Sequence, residues 1–360
     1  MTAPLNSPVL IMAGGTGGHI FPGLAVAGKL RQRNVDVLWL GSSHGMENGL
    51  VPRFGYPIER IDITGLRGRG ALALLLLPFR LCRAVLQAIR ILRRYQPRSV
   101  LSMGGFAAGP GGLAAWLTRR PLVVHEQNSI PGLTNRVLAK LARRVLSGFP
   151  SAFPRDGLHV GNPVREEIAA APTPQERQTG QHRPPRLLVL GGSQGAVALN
   201  TLLPRAIAGL ALDPAPEIRH QCGAGREEAT AKAYEQAQVP ATVLPFVDDM
   251  AEAYAWADLV VCRAGALTIA EVSAMGLASL LVPFPHAVDD HQTHNAGYLV
   301  SEGAARLCPE AALTTEGLSA QLTELLSAPD LLTEMAERAR RLAQPDAAEA
   351  VASACLEVAR

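Results

Sequence analysis

Short apolar runs separated by amphipathic stretches set the rhythm of this chain. In its first half, Val9–Met12, Val35–Leu40, Ser99–Leu101, Leu122–His125 and Arg144–Leu146 are rich in Val, Leu and Ile without alternating polar positions. Runs that are apolar on both faces suit strands buried in a parallel sheet. Between them, Pro22–Arg33, with proline near a helix start, and the long segment Leu72–Tyr95 read as helices. That alternation predicts a doubly wound α/β sheet with helices on both faces. The pattern halts at residues 171–185, which are rich in proline and polar groups and are expected to form a surface loop just after a domain boundary. It restarts with Arg186–Leu190, Ile218–Gln221, Thr242–Leu244, Asp258–Cys262 and Ser279–Val282 as strands.

Both halves open in the same way. A strand runs into Gly14-Gly15-Thr16-Gly17-Gly18 in the first and into Gly191-Gly192-Ser193-Gln194-Gly195 in the second, each followed by a helix. Two Rossmann-like, doubly wound domains facing each other across a cleft are the expected architecture. The boundaries are drawn at 1–163 and 164–340. Residues 341–360 are a last helix expected to pack back on the first domain.

Length agrees, since 360 residues exceed one ordinary core and suit two. With 48% apolar and only 4% aromatic residues, the composition is that of an Ala/Leu/Val-rich α/β protein. A formal charge of +3 asks for no nucleic-acid partner, so electrostatic arguments must be local. The five cysteines are odd in number, widely spaced and without Cys-x-x-Cys, which argues against a disulfide framework and for a reducing cytosol. Val9–Ala13 ends at once in glycines and has no charged leader, so it reads as a first strand and not a signal peptide. The longest apolar stretch, Ala71–Phe79, is about half of what a spanning helix needs. The protein is expected to be soluble, or to lie on a membrane without crossing it.

Glycines at a strand-to-helix turn let backbone N–H groups approach a phosphate, and the helix N-terminus adds partial positive charge. A single such loop is equally a tight turn that binds nothing. Two in equivalent places, each with a hydroxyl residue, favour diphosphate chemistry. Gly14–Gly18 does not fit Gly-x-Gly-x-x-Gly in register, and the second strand ends at Leu40-Gly41-Ser42 without an acidic residue. A dinucleotide oxidoreductase is therefore disfavoured. A P-loop nucleotidase is too, for lack of Gly-Lys-Ser/Thr. In Cys262-Arg263-Ala264-Gly265-Ala266-Leu267-Thr268-Ile269-Ala270-Glu271 a strand stops, a glycine turns the chain and a helix begins. The amides of Ala266, Leu267 and Thr268 could face a pyrophosphate, and Glu271 could accept from two ribose hydroxyls or be only a charge in the helix's first turns. His286, Asp289, Asp290, His291 and His294 have the composition of a metal cluster, but they follow a strand's C-terminal end, where polar ligand contacts are as much at home. No metal or other cofactor is assigned. The window Arg67–Arg98 holds eight arginines and no acid, interleaved with leucines. With Leu75, Phe79, Arg80 and Arg83 outward it suits an anionic lipid surface, and with the leucines inward it is a core helix with solvated arginines.

Taken together, these segments resemble the MurG family, the membrane-associated N-acetylglucosaminyltransferases of peptidoglycan synthesis. The stretches that carry the resemblance are Met12-Ala-Gly-Gly-Thr-Gly-Gly-His19-Ile-Phe-Pro-Gly, Gly65-Leu-Arg-Gly, Met103-Gly-Gly-Phe106, His125-Glu-Gln-Asn128, Gly161-Asn-Pro-Val-Arg165, Gly191-Gly-Ser-Gln-Gly-Ala and Cys262–Glu271. The likeness extends from Val9 to about Arg340. The resemblance implies a GT-B fold, with an acceptor- and membrane-facing N-terminal domain and a donor-binding C-terminal one. It implies transfer of GlcNAc from UDP-GlcNAc to the 4-hydroxyl of undecaprenyl-pyrophosphoryl-MurNAc-pentapeptide (lipid I), giving lipid II with inversion at C1. It also implies a peripheral place on the cytoplasmic face of the bacterial inner membrane, with other cell-wall synthesis proteins as further partners.

Carried over by position, Ser193 and the amides of Ala266–Thr268 would meet the donor diphosphate, and Ile269 and Ala270 would also belong to the UDP-GlcNAc site. Glu271 would hold the ribose, Val247 and Arg263 the uracil end, and Gln292 the sugar. Thr16, Gly17, Gly18, Asn128 and Arg165 would border the donor. Gly14, Gly15, Thr16 and His19 would face the acceptor diphosphate. Phe106 stands where a tyrosine is common, Ala264 replaces a frequent serine and His291 a frequent glutamine, which puts individual hydrogen bonds in doubt. For the base that takes the hydroxyl proton, His19 has the right residue type, and Glu126 is the alternative. A histidine there could instead only cap the glycine turn or bind phosphate. The same fold also serves UDP-GlcNAc 2-epimerases, which would form UDP-ManNAc from the donor alone, and it could serve a non-catalytic nucleotide-sugar-binding protein.

Overall fold

The apolar runs of the first half become the parallel strands β1 (Val9–Ala13), β2 (Val37–Ser42), β3 (Ile58–Ile61), β4 (Ser99–Gly104), β5 (Leu122–Glu126), β6 (Arg144–Ser147) and β7 (Leu158–His159) in a computed structural model of the chain. The described residues are 6–63, 77–153, 155, 157–177, 183–192 and 195–359. Leu75, Ser193 and the stretch Gly65–Gly68 lie outside them. The chain divides into two compact units, Met1–Arg165 with Gln344–Arg360, and Glu166–Ala343.

In the first unit the strand order is β3-β2-β1-β4-β5-β6-β7, and every pair is parallel. Its helices are α1 (Gly17–Gln32), α2 (Leu77–Tyr95), α3 (Ala108–Leu117) and α4 (Leu133–Ala139). Strand β1 shows why its run is unbroken. Val9, Ile11 and Ala13 enter a core with Ile20, Leu24 and Leu30 of α1. Leu10 and Met12 enter the opposite core with Ala84, Ala88 and Leu92 of α2 and Ala108 and Ala114 of α3. A strand buried on both faces favours apolar side chains at every position, as β1 shows.

The second unit repeats the plan with β8 (Arg186–Leu190), β9 (Glu217–Gln221), β10 (Thr242–Leu244), β11 (Leu259–Cys262), β12 (Ala278–Leu281) and β13 (Ala305–Leu307) in the order β10-β9-β8-β11-β12-β13. Helices α5 (Val197–Ala208), α6 (Glu227–Gln236), α7 (Met250–Trp256), α8 (Ala266–Met275), α9 (His291–Val300), α10 (Thr315–Leu326) and α11 (Pro329–Arg341) cover it. The last helix, α12 (Ala347–Glu357), returns to the first unit. Its Val351, Ala352 and Cys355 join the core beneath α1, and Arg33 pairs with Glu349.

Three sequence expectations need correction. Helix α1 starts at Gly17, so Pro22 stands inside it and not near its start. Strands β3, β7 and β13 were not anticipated, because as edge strands they are short and partly exposed and carry no continuous apolar run. The expected surface loop at 171–185 contains a helical turn, Pro174–Arg177, from which Arg177 donates to the carbonyls of Met275 and Tyr254 and so closes the C-terminal end of α8.

Sheet order decides where chemistry can sit. It reverses at β1/β4 in the first unit and at β8/β11 in the second. Loops leaving the carboxyl ends of such neighbouring strands splay apart and leave a crevice for a ligand. The loops there leave β1, β4, β8 and β11 at Gly14, Gly105, Gly191 and Arg263, each inside a motif singled out above.

Candidate functional site

At the first switch point the glycine loop is held from beneath. Glu47 is wholly buried, and its carboxylate accepts hydrogen bonds from Ser42 N and Oγ at 2.8 Å each and from Gly15 N at 3.1 Å. A Cβ on Gly14 would sit 2.6 Å from this carboxylate, and one on Gly105 only 2.4 Å from Gly14 O. Gly14 therefore serves close packing, Gly15 takes a positive φ of +86°, and the Gly15 amide is spent on Glu47 and not open to an acceptor diphosphate. Thr16, Gly17 and Gly18 form the outward part of the loop and start α1, with the Thr16 hydroxyl making no cap bond. Phe106 lies over Gly15 at 3.9 Å from where its Cβ would be.

His19 follows in the first turn of α1, half-buried, with Nδ1 at 2.9 Å from Oε1 of Gln127. Its ring rests on Gly104, where a Cβ would come within 3.0 Å of the imidazole. Glu126 is only 2% exposed. Its carboxylate accepts from Asn128 N at 2.9 Å and Nδ2 at 3.3 Å, from Gly132 N at 3.2 Å and from Asn135 Nδ2 at 2.9 Å. A carboxylate that collects four donors has its lone-pair sites taken up and fixes the loop after β5. Asn128 is thus turned onto Glu126, and Arg165 lies 5.3 Å over the ring of Phe21; both belong to the first unit.

At the second switch point Gln221 does what Glu47 does in the first. Its Oε1 accepts from Gly192 N at 3.0 Å, while Nε2 donates to the carbonyls of Gly192 and Pro245. Val247 lies half-buried in the loop that begins at Pro245. Helix α8 begins at Ala266, and its first intrahelical donor is Ile269 N, bonded to Gly265 O at 2.9 Å. The amides of residues 266–268 precede it at the start of the helix. The Ile269 amide is bonded to Gly265 O and its side chain is wholly buried, with Ala270 partly covered beside it. Glu271 is 4% exposed and accepts from the Tyr254 hydroxyl at 3.1 Å, which places it under the helix start and not on the open face of its first turns.

Arg263 and Gln292, far apart in sequence, meet on one loop. Arg263 donates to the carbonyls of Val282 and Pro283 at 3.2 Å each and pairs with Glu310, while Gln292 Oε1 accepts from Phe284 N at 2.9 Å. The Arg263 guanidinium is thereby engaged in shaping that loop. In Gln292 the same contact leaves Nε2 as the outward donor. His286 packs edge-on against Phe284, and Asp290 accepts from Thr293. Among the described residues no three His, Cys, Asp or Glu side chains converge as metal ligands would.

The comparisons with known proteins agree on one family. The glycosyltransferase family 28 N-terminal domain matches residues 9–147 and its C-terminal domain residues 186–351. The chain is 54% identical over 99% of its length to the whole of an Alkalilimnicola ehrlichii protein named UDP-N-acetylglucosamine–N-acetylmuramyl-(pentapeptide) pyrophosphoryl-undecaprenol N-acetylglucosamine transferase. The chain belongs to glycosyltransferase family 28.

Among solved structures, Acinetobacter baumannii MurG resembles this family 28 protein with a TM-score of 0.86 and 42% identity, covering 98% of the chain and 100% of that one. The two parallel-sheet α/β domains are those of the GT-B fold. A UDP-GlcNAc 2-epimerase from Neisseria meningitidis matches with a TM-score of 0.67 at 14% identity over 97% of this chain and 100% of its own, which shows a shared fold alone.

Sequence reading missed four residues that build the candidate site: Glu47, Gln127, Gln221 and Tyr254. Only Gln127 lay inside a quoted motif, and nothing in the local pattern of the others distinguishes them from ordinary polar positions. Phe79, Arg80, Arg83, Leu86 and Arg90 are exposed on α2, with Arg83 bonded at 2.8 Å to Asp62, an acid just outside the window of arginines. No helix among the described residues is long and apolar enough to cross a membrane.

Proposed function

We propose that this chain transfers N-acetylglucosamine from UDP-N-acetylglucosamine to the MurNAc 4-hydroxyl of undecaprenyl-pyrophosphoryl-MurNAc-pentapeptide, converting lipid I to lipid II. The observation that carries the reading is the near-full-length identity with a transferase of that name. The donor belongs to the second unit. The amides of Ala266, Leu267 and Thr268 at the start of α8, with Ser193, receive its diphosphate, because aligned N–H groups and the helix dipole stabilise that charge. Glu271 accepts from the ribose, oriented by Tyr254; Val247 lies beside the uracil and Gln292 Nε2 at the sugar. Arg263 shapes this pocket through the 282–283 carbonyls and does not read the base with its own guanidinium.

The acceptor belongs to the first unit, with Thr16, Gly17 and Gly18 toward its diphosphate and His19 at the reacting hydroxyl. The hydroxyl oxygen forms the new bond to C1 as its proton passes to His19 Nε2. The bond from C1 to the diphosphate oxygen breaks with its electron pair leaving on UDP. Attack opposite the leaving group inverts C1. Helix α2, through Phe79, Arg80 and Leu86, rests on anionic lipid at the cytoplasmic face of the membrane, where this acceptor is anchored.

Incubation of labelled UDP-GlcNAc with and without a lipid I analogue tests the reaction. Label should enter lipid only when acceptor is present, and formation of UDP-ManNAc from the donor alone would overturn the reading. In His19→Ala, kcat should fall by about 10²–10⁴-fold with UDP-GlcNAc affinity unchanged, the range for loss of a general base.

A further inference from the structure

The hydrogen bonds behind His19 form a chain whose two fixed ends leave one assignment of every proton. His125 is wholly buried on β5, and its Nε2 faces the carbonyl of Gly161 at 2.9 Å. A carbonyl only accepts, so His125 Nε2 carries the hydrogen and Nδ1 bears a lone pair. Nδ1 faces Nε2 of Gln127 at 3.0 Å. That nitrogen also reaches the His125 carbonyl at 3.1 Å, again an acceptor only, which fixes the Gln127 amide with its NH₂ toward residue 125. Its Oε1 is thereby turned to His19 Nδ1 at 2.9 Å. An amide oxygen accepts, so His19 donates from Nδ1.

We propose that Gln127 and His125 are positioning residues that hold neutral His19 as its Nδ1–H tautomer, so that the basic lone pair lies on Nε2. The inference rests on the reading of His19 as base, but the tautomer can be measured without it. In many hydrolases a carboxylate orients the catalytic imidazole and stabilises its charged form. Here a neutral amide does the orienting, backed by a second, neutral imidazole. Burial pushes His125 down to about 4, so it is uncharged at neutral pH and its Nδ1 stays an acceptor. A protonated His125 would present Nδ1–H to the Gln127 amide and drive it to flip, which would turn NH₂ toward His19 and reverse the tautomer. Gly104, at φ +102, completes the arrangement by giving the His19 ring a seat that any Cβ would occupy. No carboxylate is within hydrogen-bonding reach of this imidazole among the described residues, so orientation and not charge is what its partners supply.

The direct test is long-range ¹H–¹⁵N correlation on protein labelled with ¹⁵N-histidine, the His19 signals being identified by their loss in His19→Gln. In the parent, the neutral imidazole should give the pattern of Nδ1–H with a bare Nε2. In Gln127→Met, which keeps the length of the side chain and removes its oxygen, His19 should become mixed or Nε2–H. Its kcat should then fall by about 10²–10⁴-fold, the upper figure being that for a triad histidine forced into the wrong tautomer, with UDP-GlcNAc affinity unchanged. Gln127→Glu, which restores an acceptor oxygen, should restore the Nδ1–H pattern. An Nε2–H pattern in the parent, or an unaltered Nδ1–H pattern in Gln127→Met, overturns the inference. The parent spectrum decides it even if the variants fold poorly. Near-normal kcat in His19→Ala overturns the base assignment instead and leaves the tautomer result standing.

Discussion

Replacing Glu47 by glutamine changes one atom, and the structure says what that atom does. Oε1 accepts both donors of Ser42 and Oε2 accepts Gly15 N–H. If the new amide keeps its oxygen on Ser42, its NH₂ faces the Gly15 amide. If it turns over, NH₂ faces the Ser42 amide. Either orientation strands one buried backbone donor against another. Relaxation is blocked by packing, since even a Cβ on Gly45 would lie 2.1 Å, and one on Gly41 2.6 Å, from Glu47 side-chain atoms. Loss of a hydrogen bond to a charged acceptor costs about 1.5–3 kcal/mol. For a unit of this size each kcal/mol lowers Tm by about 2–4 °C, so the transition of the first unit should fall by roughly 3–12 °C. Calorimetry should show that shift, and hydrogen exchange should show the Gly15 amide losing protection beyond the global change. The reasoning is refuted if Glu47→Gln unfolds at the parental temperature and Gly15 exchanges as before.

Other consequences are open to measurement. Glu271→Ala should weaken UDP binding by about 1.5–3 kcal/mol, the range for hydrogen bonds to a charged group, with the fold intact; unchanged affinity by calorimetry would dismiss its ribose role. Arg80→Glu should reduce sedimentation with anionic vesicles more than Arg83→Glu, because Arg83 is tied to Asp62, and raised salt should do the same to the parent. If vesicle binding persists in both, α2 is not the interface. Stability should also fall with acid. Burial lowers His125 and His220 from 6.5 to about 4, so between those values the unfolded chain binds protons that the folded chain refuses. Stability is then full above pH 6.5 and lost as pH drops toward 4, by about 3 kcal/mol per histidine. Urea titrations at pH 7 and pH 4.5 with equal midpoints would show that these imidazoles are not held neutral.

Much of the scaffold was legible because its signals are local. The interior strands β1, β2, β8 and β11 are apolar on both faces, and such runs can be read without knowing their neighbours. The glycine loops were legible for a similar reason, since a strand that turns sharply into a helix needs backbone freedom, as at Gly15, φ +86. Edge strands such as β7 escaped, having only one neighbour and little burial to enforce a pattern. Likewise Pro22 was taken to mark a helix start, whereas core packing by Ile20 and Leu24 carries α1 through it.

The sequence by itself determined two Rossmann-like domains, the positions of their glycine loops, and the segments that would meet at the switch points. Only the tertiary structure decided what each polar side chain does there. Glu47 reaches Gly15 across 32 residues, Gln221 reaches Gly192 across 29, and Gln127 reaches His19 across 108. Those partnerships follow from which strands lie side by side, and strand adjacency leaves no trace in local periodicity. Burial then fixes the outcome, because a polar group removed from water must take whatever partner the sheet order brings. Glu126, a plausible base by residue type, is consumed by the four donors around it, and His19, whose partner no spacing could name, is the imidazole left facing outward.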